Sequence, residues 1–128
     1  TGTSAETDVK GKALDANADL LAKRRVYFAF DSNAVDEANR AIVEAHATYL
    51  AANKNVKVVL EGHADERGTR EYNLALGERR AQAVERMVKV LGVTPDRIKN
   101  VSYGEEKPVA MDHNEAAWAL NRRVEIIY

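Results

Sequence analysis

Residues 56–69 read VKVVLEGHADERGT, in which a run of β-branched and apolar residues leads into a turn bounded by Gly62 and Gly68. Such a run is typical of a buried central strand, and the turn that follows carries several ionisable side chains. Proteins usually mount binding groups on loops that follow rigid strands. The segment therefore predicts a core strand over residues 56–61 and a candidate binding turn after it.

Hydrophobic periodicity on either side of this segment predicts the other elements. Val26, Phe28 and Phe30 recur at every second position, which predicts a first strand with these three side chains on one face. Apolar residues spaced three and four apart predict two long helices at 38–53 and 71–91. The predicted strands are 24–30, 56–61, 98–103 and 122–128, and short helical segments are predicted near 94–96 and 114–121.

The resulting order of elements, β-α-β-α-β-β, belongs to the α+β class. It predicts a two-layer sandwich in which two long helices pack on one face of a mixed four-stranded sheet. Because a helix joins the first two strands, we expect a right-handed crossover and parallel pairing between them. Residues 1–21 are polar and rich in Ala, so we expect a flexible N-terminal tether, or a marginal helix over 13–22, before one domain at 22–128.

Composition excludes several classes of function. A chain of 128 residues with 45% hydrophobic content can bury one ordinary core. Its 19 Lys and Arg are balanced by 20 Asp and Glu, so it lacks the basic excess that nucleic-acid binding requires. The sequence contains no Cys, which excludes a disulfide framework and thiolate chemistry. No apolar run approaches the ~20 residues that a membrane-spanning helix needs.

Asp65 and Arg80 are the central candidate binding residues. Asp65 lies in the turn after the predicted core strand, and Arg80 lies in the early turns of the second long helix. Leu76 shares a helix face with Arg80, so we expect Arg80 at the rim of the core-facing side. If these two side chains meet at the mouth of one pocket, the acid and the base suit a ligand that carries an ammonium and a carboxylate. A plain ion pair that ties the loop to the helix is the alternative.

Metal and enzyme chemistry lack the necessary residues. His63 and Asp65 form only a dyad, and His46 and His113 fall in unrelated elements, whereas a metal site needs three or more converging ligands. We therefore expect no metal and no cofactor, and we expect His63 to fix the loop by hydrogen bonding. Glu61 and Asp65 could form a pair of catalytic carboxylates, but no nucleophile lies beside a base. The sequence does not predict an enzyme.

Seven short segments form a series along residues 24–128. They are VYFAFDS at 26–32, EGHADERGT at 61–69, EYN at 71–73, LGERRA at 76–81, AV at 83–84, VSYGEEKP at 101–108 and NRRV at 121–124. In this order and at this spacing they resemble the OmpA-like peptidoglycan-binding domain, and within that family the branch of peptidoglycan-associated lipoproteins. Several motifs matched together make the resemblance specific.

The resemblance implies a ligand and residue roles. The ligand would be the diaminopimelate residue of the peptidoglycan stem peptide. Asp65 would accept its ammonium, Arg80 would hold a carboxylate through its two-pronged guanidinium, and Asp31 would line the same pocket. The candidate ligand-binding set is completed by Phe30, His63, Arg67, Asn73 and Leu76.

The resemblance also implies partners and a location. The partners are peptidoglycan and the TolB and TolA proteins, and the location is the periplasmic face of the outer membrane. Membrane attachment would occur only through an N-terminal lipid-bearing Cys, which we expect to lie outside this chain. The expected function is therefore non-catalytic tethering of the outer membrane to the cell wall within the Tol-Pal system. The alternatives are mainly a protein-interaction module for TolB and TolA, or a wall-peptide hydrolase.

Overall fold

A computed structural model describes residues 18–128 of the chain. The strands are β1 (Arg25–Tyr27), β2 (Val58–His63), β3 (Ile98–Gly104) and β4 (Arg123–Ile127), and the helices are α1 (Glu37–Ala52), α2 (Arg70–Val90) and α3 (Glu115–Asn121). A short 3-10 helix at Pro95–Arg97 precedes β3. Residues 18–22 are helical, and the expectation for residues 1–17 lies outside the described part.

The sheet confirms the α+β class and corrects one predicted pairing. Its strand order is β1-β4-β2-β3, with β2 and β3 parallel and with β4 antiparallel to both β1 and β2. The prediction that β1 pairs directly with β2 is wrong, because β4 lies between them. A connecting helix sets the direction of the next strand but not its neighbour. Val124 and Ile126 of β4 are buried in the core, which gives this C-terminal strand the central position.

One hydrophobic core joins the helical layer to the sheet. Most of its buried residues come from α1 and α2 and from one face of β1, β2 and β4: Val26, Ile42, Val43, Ala47, Leu50, Val58, Leu60, Ala81, Val84, Val88, Val124 and Ile126. Full burial of a Val, Leu or Ile side chain stabilises a protein by about 1.5–3 kcal/mol. The core therefore fixes α2 firmly against the strands that carry the candidate turn.

Two glycines bring α2 into backbone contact with β2. A Cβ atom at Gly62 of β2 would overlap the carbonyl oxygen of Gly77 in α2. A Cβ atom at Gly77 would lie 2.9 Å from the carbonyl oxygen of Gly62 and would also collide with the Ser102 hydroxyl. Close packing thus accounts for a glycine within a helix, where it costs about 1 kcal/mol relative to Ala. This contact holds the first turns of α2 beside the end of β2.

The chain leaves the sheet soon after β1, so Phe30 does not share the face of Val26 and Phe28 that the two-residue alternation predicted. Val26 and Phe28 are buried, whereas Phe30 is 59% exposed. The amide of Ser32 donates to the carbonyl of Ala29, and Asp31 has a φ of 52°. Asp is among the few residue types that tolerate this left-handed conformation. The tight turn breaks the two-residue alternation and directs Phe30 outward.

Candidate functional site

A pocket of about 190 Å³ opens between the turn after β1, the turn after β2 and the first turns of α2. Seven of the eight candidate binding residues line it, and His63 does not. The lining residues are Phe30, Asp31, Ala64, Asp65, Arg67, Gly68, Tyr72, Asn73, Leu76 and Arg80. The pocket is therefore assembled from segments that are distant in the sequence.

Asp65 is a buried carboxylate with four hydrogen-bond donors. Its Oδ1 accepts from the backbone amide of Arg67 at 3.0 Å and from Arg67 Nε at 3.2 Å. Its Oδ2 accepts from Arg67 Nη2 at 2.8 Å and from Arg122 Nη1 at 3.3 Å. Burial alone raises the pKa of Asp65, but the bonds from Arg67 and Arg122 lower it below the ordinary value overall. Asp65 is consequently ionised at neutral pH.

Arg80 is fully buried and is not the ion-pair partner of Asp65. Its Nε donates to the carbonyl of Ser32 at 2.8 Å, Nη1 to that of His63 at 2.9 Å, and Nη2 to that of Ala29 at 3.2 Å. Burial lowers the pKa of Arg80 to about 10, so the guanidinium remains charged at neutral pH. The expected rim position and the simple ion-pair alternative are both wrong. Three backbone carbonyls satisfy the charge and hold it in the floor of the pocket.

Two donors of Arg80 remain for a ligand. A guanidinium carries five N–H groups, and the three bonds to carbonyls leave one each on Nη1 and Nη2 without a partner among residues 18–128. Arg80 is among the residues that line the pocket, although its side chain has no exposed surface. The same three bonds join the turn after β1 to the end of β2.

Asp31 supplies a second carboxylate at the pocket mouth. Its Oδ1 accepts a hydrogen bond from the hydroxyl of Tyr72, a lining residue that the sequence analysis did not select. Tyr72 lies four residues before Leu76 in the sequence and α2 contains both, so helical spacing could have identified it. Leu76 is buried and gives the pocket an apolar wall. Charged groups thus surround a short apolar surface.

Arg67 is stacked between two aromatic rings. The carbon at the centre of its guanidinium lies 4.1 Å from the ring centroid of Phe30 and 4.1 Å from that of Trp118 in α3. Cations over aromatic faces are attracted by about 0.5–1 kcal/mol at exposed sites. Asn73 supports the same turn, since its Nδ2 donates to the carbonyl of Arg67 at 3.1 Å and to Glu105 Oε1 at 2.9 Å.

Arg122 is the most important contact residue that sequence reasoning missed. It lies just before β4, where its Nε donates to the carbonyl of Phe28 at 2.9 Å and its Nη2 to Glu115 Oε1 at 2.9 Å, while Nη1 reaches Asp65. It therefore holds Asp65 from behind the pocket. The motif NRRV at 121–124 contained this arginine, but its role depends on contacts that only the folded chain makes.

The expected role of His63 is wrong. Its side chain is buried against Tyr103, with ring centroids 5.6 Å apart, and neither ring nitrogen has a hydrogen-bond partner within residues 18–128. Gly62 faces α2, and alternation along β2 directs the next side chain to the opposite face of the sheet. Burial lowers the pKa of His63 to about 4. Only its backbone carbonyl contributes to the site, as an acceptor for Arg80.

The arrangement suits recognition of a ligand that carries both charges. Asp31 and Asp65 offer negative charge, Arg80 offers positive charge, and Leu76 offers apolar contact. In the part of the chain that the structure describes, no group of three or more His, Cys, Asp or Glu is arranged to hold a metal ion. None of the helices found there is long and apolar enough to cross a membrane.

Comparison with known proteins gives consistent matches. The OmpA family model matches residues 27–122. The peptidoglycan-associated lipoprotein of Pseudomonas putida is 52% identical over 126 residues, which are 98% of this chain and 75% of the relative. That of Haemophilus influenzae is 48% identical over 103 residues, 80% of this chain and 67% of the relative.

Solved structures agree with the sequence matches. The crystal structure of the peptidoglycan-associated lipoprotein from Burkholderia pseudomallei has a TM-score of 0.83 and 50% identity, and the match covers 85% of this chain and 92% of that one. The C-terminal domain of Helicobacter pylori MotB has a TM-score of 0.71 at 24% identity, with 80% of each chain covered, and shows a shared fold alone.

Proposed function

This chain belongs to the OmpA family, and within it to the peptidoglycan-associated lipoproteins; from that membership and from the pocket, we propose that it binds the diaminopimelate residue of a peptidoglycan stem peptide without cleaving it. The observation that carries this proposal is that Asp65 and Arg80 line one small pocket. Pockets for drug-sized ligands are about 300–1,000 Å³. A pocket of about 190 Å³ suits a single amino-acid side chain rather than a saccharide.

The free end of the diaminopimelate side chain and the methylene groups behind it each have matching groups in the pocket. Its free end carries an ammonium and a carboxylate on one carbon. Asp65 and Asp31 supply carboxylates for the ammonium, and the two remaining N–H groups of Arg80 supply a two-pronged donor for the carboxylate. Leu76 contacts the methylene groups between that end and the peptide. The ligand is thus recognised by charge at its tip and by apolar contact along its length.

The chemistry of the lining supports binding without catalysis. The part contributed by residues 18–128 holds no Ser, Thr, Cys or Lys that could act as a nucleophile. The lowered pKa of Asp65 keeps it ionised, and its four hydrogen bonds occupy the lone pairs that a general base would use. Purified protein should release no fragments from cell wall, with or without added zinc.

The family membership also supports a location and partners. We place the domain in the cell envelope, at the periplasmic face of the outer membrane, where it tethers that membrane to the wall within the Tol-Pal system. TolB and TolA are its proposed protein partners.

Co-sedimentation with purified diaminopimelate-type wall tests the proposed function. Asp65→Asn removes the negative charge, and Arg80→Lys keeps a cation but loses the two-pronged geometry. Each change removes a charge-assisted contact worth about 1.5–3 kcal/mol, which lowers affinity about 10- to 150-fold. Arg79→Lys is the matched control, because Arg79 is the exposed neighbour of Arg80. Circular dichroism establishes that each variant is folded. Unchanged binding by both Asp65→Asn and Arg80→Lys contradicts the proposal.

A further inference from the structure

Asp65 has no acceptor position left for an incoming ammonium. A carboxylate offers about four lone-pair sites, and Asp65 receives four donors, three from Arg67 and one from Arg122. Its side chain is only 5% exposed. A ligand ammonium can therefore reach Asp65 only by replacing one of these donors.

Arg67 is the replaceable donor of the two arginines. Arg122 is 7% exposed at its side chain and also bonds the carbonyl of Phe28 and Glu115, so its removal from Asp65 breaks an interior network. The side chain of Arg67 is 32% exposed, and its charged contacts are Asp65 and a longer one of 3.7 Å to Glu115. Its guanidinium can move into solvent from between Phe30 and Trp118.

We propose that Arg67 occupies the position on Asp65 that a ligand ammonium requires, and that binding proceeds by exchange of one cation for the other. This inference rests on the proposed function. Arg67 is then a specificity-determining residue that acts as an internal competitor. A ligand whose amine is acylated carries a neutral amide there. It cannot replace the positive charge of Arg67 beside Asp65, so it cannot drive the exchange. The pocket thereby selects stem peptides with a free amine.

An internal competitor lowers the apparent affinity of a site. The measured dissociation constant equals the intrinsic one divided by the fraction of molecules in which the site is open. Removal of the Arg67 side chain frees two of the four acceptor positions of Asp65, while Arg122 and the backbone amide of residue 67 keep the other two. We expect Arg67→Ala and Arg67→Gln to bind a free-amine stem peptide about tenfold or more tightly than the natural chain does, and we expect no such gain for the N-acetylated peptide.

Trp118 reports the exchange directly. It is the single Trp of the chain, it stacks on Arg67, and it does not belong to the pocket lining. Departure of the guanidinium changes the surroundings of the indole even though the ligand does not touch it. Titration with a soluble stem peptide that contains diaminopimelate should change the emission of Trp118 in the natural chain. The same titration of Arg67→Ala should leave the emission constant.

Calorimetric titration and fluorescence on the same samples test the proposal, with Arg70→Ala as the matched control. Arg70 pairs with Glu106 at 2.5 Å and lies outside the lining, so its loss removes a nearby positive charge without freeing Asp65. Millimolar methylguanidinium should compete with the peptide in Arg67→Ala and not in the natural chain. Equal or weaker binding by both Arg67 variants, or constant Trp118 emission in the natural chain, overturns the exchange. Failure of the natural chain to bind overturns the proposed function itself.

Discussion

At the scale of the residue, three arginines determine how the pocket presents its charges. Arg80 and Arg122 are buried and donate to backbone carbonyls, while Arg67 lies at the surface. A buried charge is costly unless hydrogen bonds compensate it. The folded chain meets this requirement with main-chain oxygens from residues 28–32 and from His63. Arg80, which we propose as a binding group, is therefore also a structural one.

His63 gives a prediction about pH. Its pKa is about 4 in the folded chain because it is buried, against an ordinary value near 6.5. The unfolded chain takes up a proton first as the pH falls, so the contribution of His63 to stability is complete above pH 6.5 and is lost toward pH 4. Between pH 7 and 4.5 the natural chain should lose on the order of 2–3 kcal/mol of unfolding free energy more than His63→Phe does.

Urea denaturation of the natural chain and of His63→Phe at pH 7 and pH 4.5 measures this difference in unfolding free energy. The titration of the carboxylates is common to both proteins and cancels in the comparison. His113→Gln is the control, since its ring is 80% exposed. If the difference in unfolding free energy between the natural chain and His63→Phe is the same at pH 7 and pH 4.5, the lowered pKa of His63 is contradicted.

At the scale of the element, local patterns predicted the helices closely and the sheet incompletely. Helices expected at 38–53 and 71–91 are found at Glu37–Ala52 and Arg70–Val90, because spacing and the caps Asp36 and Thr69 are local properties. The neighbour of β1 depends on β4, about 100 residues away, and no local pattern encodes it. The turn at Asp31 ends the alternation that predicted Phe30 on the same face as Val26 and Phe28.

In the candidate site too, residues with a local signal were predictable and residues that depend on long-range contacts were not. Asp65 follows a strand and Arg80 shares a helix face with Leu76, so local reasoning could select both. Arg122 and Trp118 reach the turn only through the packing of α3 and β4, which sequence spacing does not reveal. The side of the sheet on which His63 lies was predictable from alternation once β2 extended to that residue.

The close contact between α2 and β2 predicts that a single added methyl group at Gly62 lowers the stability of the protein substantially. Gly62→Ala places a Cβ atom against the backbone of Gly77, which cannot move without shifting the helix. Overpacking of this kind typically costs about 1–3 kcal/mol. Thermal denaturation should show a clear fall in Tm, and wall binding should weaken because α2 carries Arg80. Val59→Ile is the control, since it adds a methyl group to a partly exposed position of the same strand. Equal Tm values for Gly62→Ala and the natural chain contradict this account of the packing.

At the scale of the whole molecule, the fold brings together groups from three parts of the chain. Residues 28–32, the segment from His63 to Arg80, and Arg122 all meet at one end of the sheet. The chain as a whole is nearly neutral, with a formal net charge of -1. The pocket nevertheless holds opposite charges at fixed positions. We propose that this pairing recognises a ligand tip that carries both an ammonium and a carboxylate.

The most direct test of that claim is calorimetric titration with two soluble stem peptides that differ only at the third residue, diaminopimelate in one and lysine in the other. Lysine presents the ammonium without the carboxylate, so the two remaining N–H groups of Arg80 stay unpaired in the pocket. Sites built to satisfy a polar group discriminate against ligands that lack it, and water at the mouth compensates in part. We expect the diaminopimelate peptide to bind about 10- to 100-fold more tightly, and we expect Arg80→Lys to reduce this ratio. Equal affinities of the natural chain for the two peptides would contradict recognition of the carboxylate by Arg80.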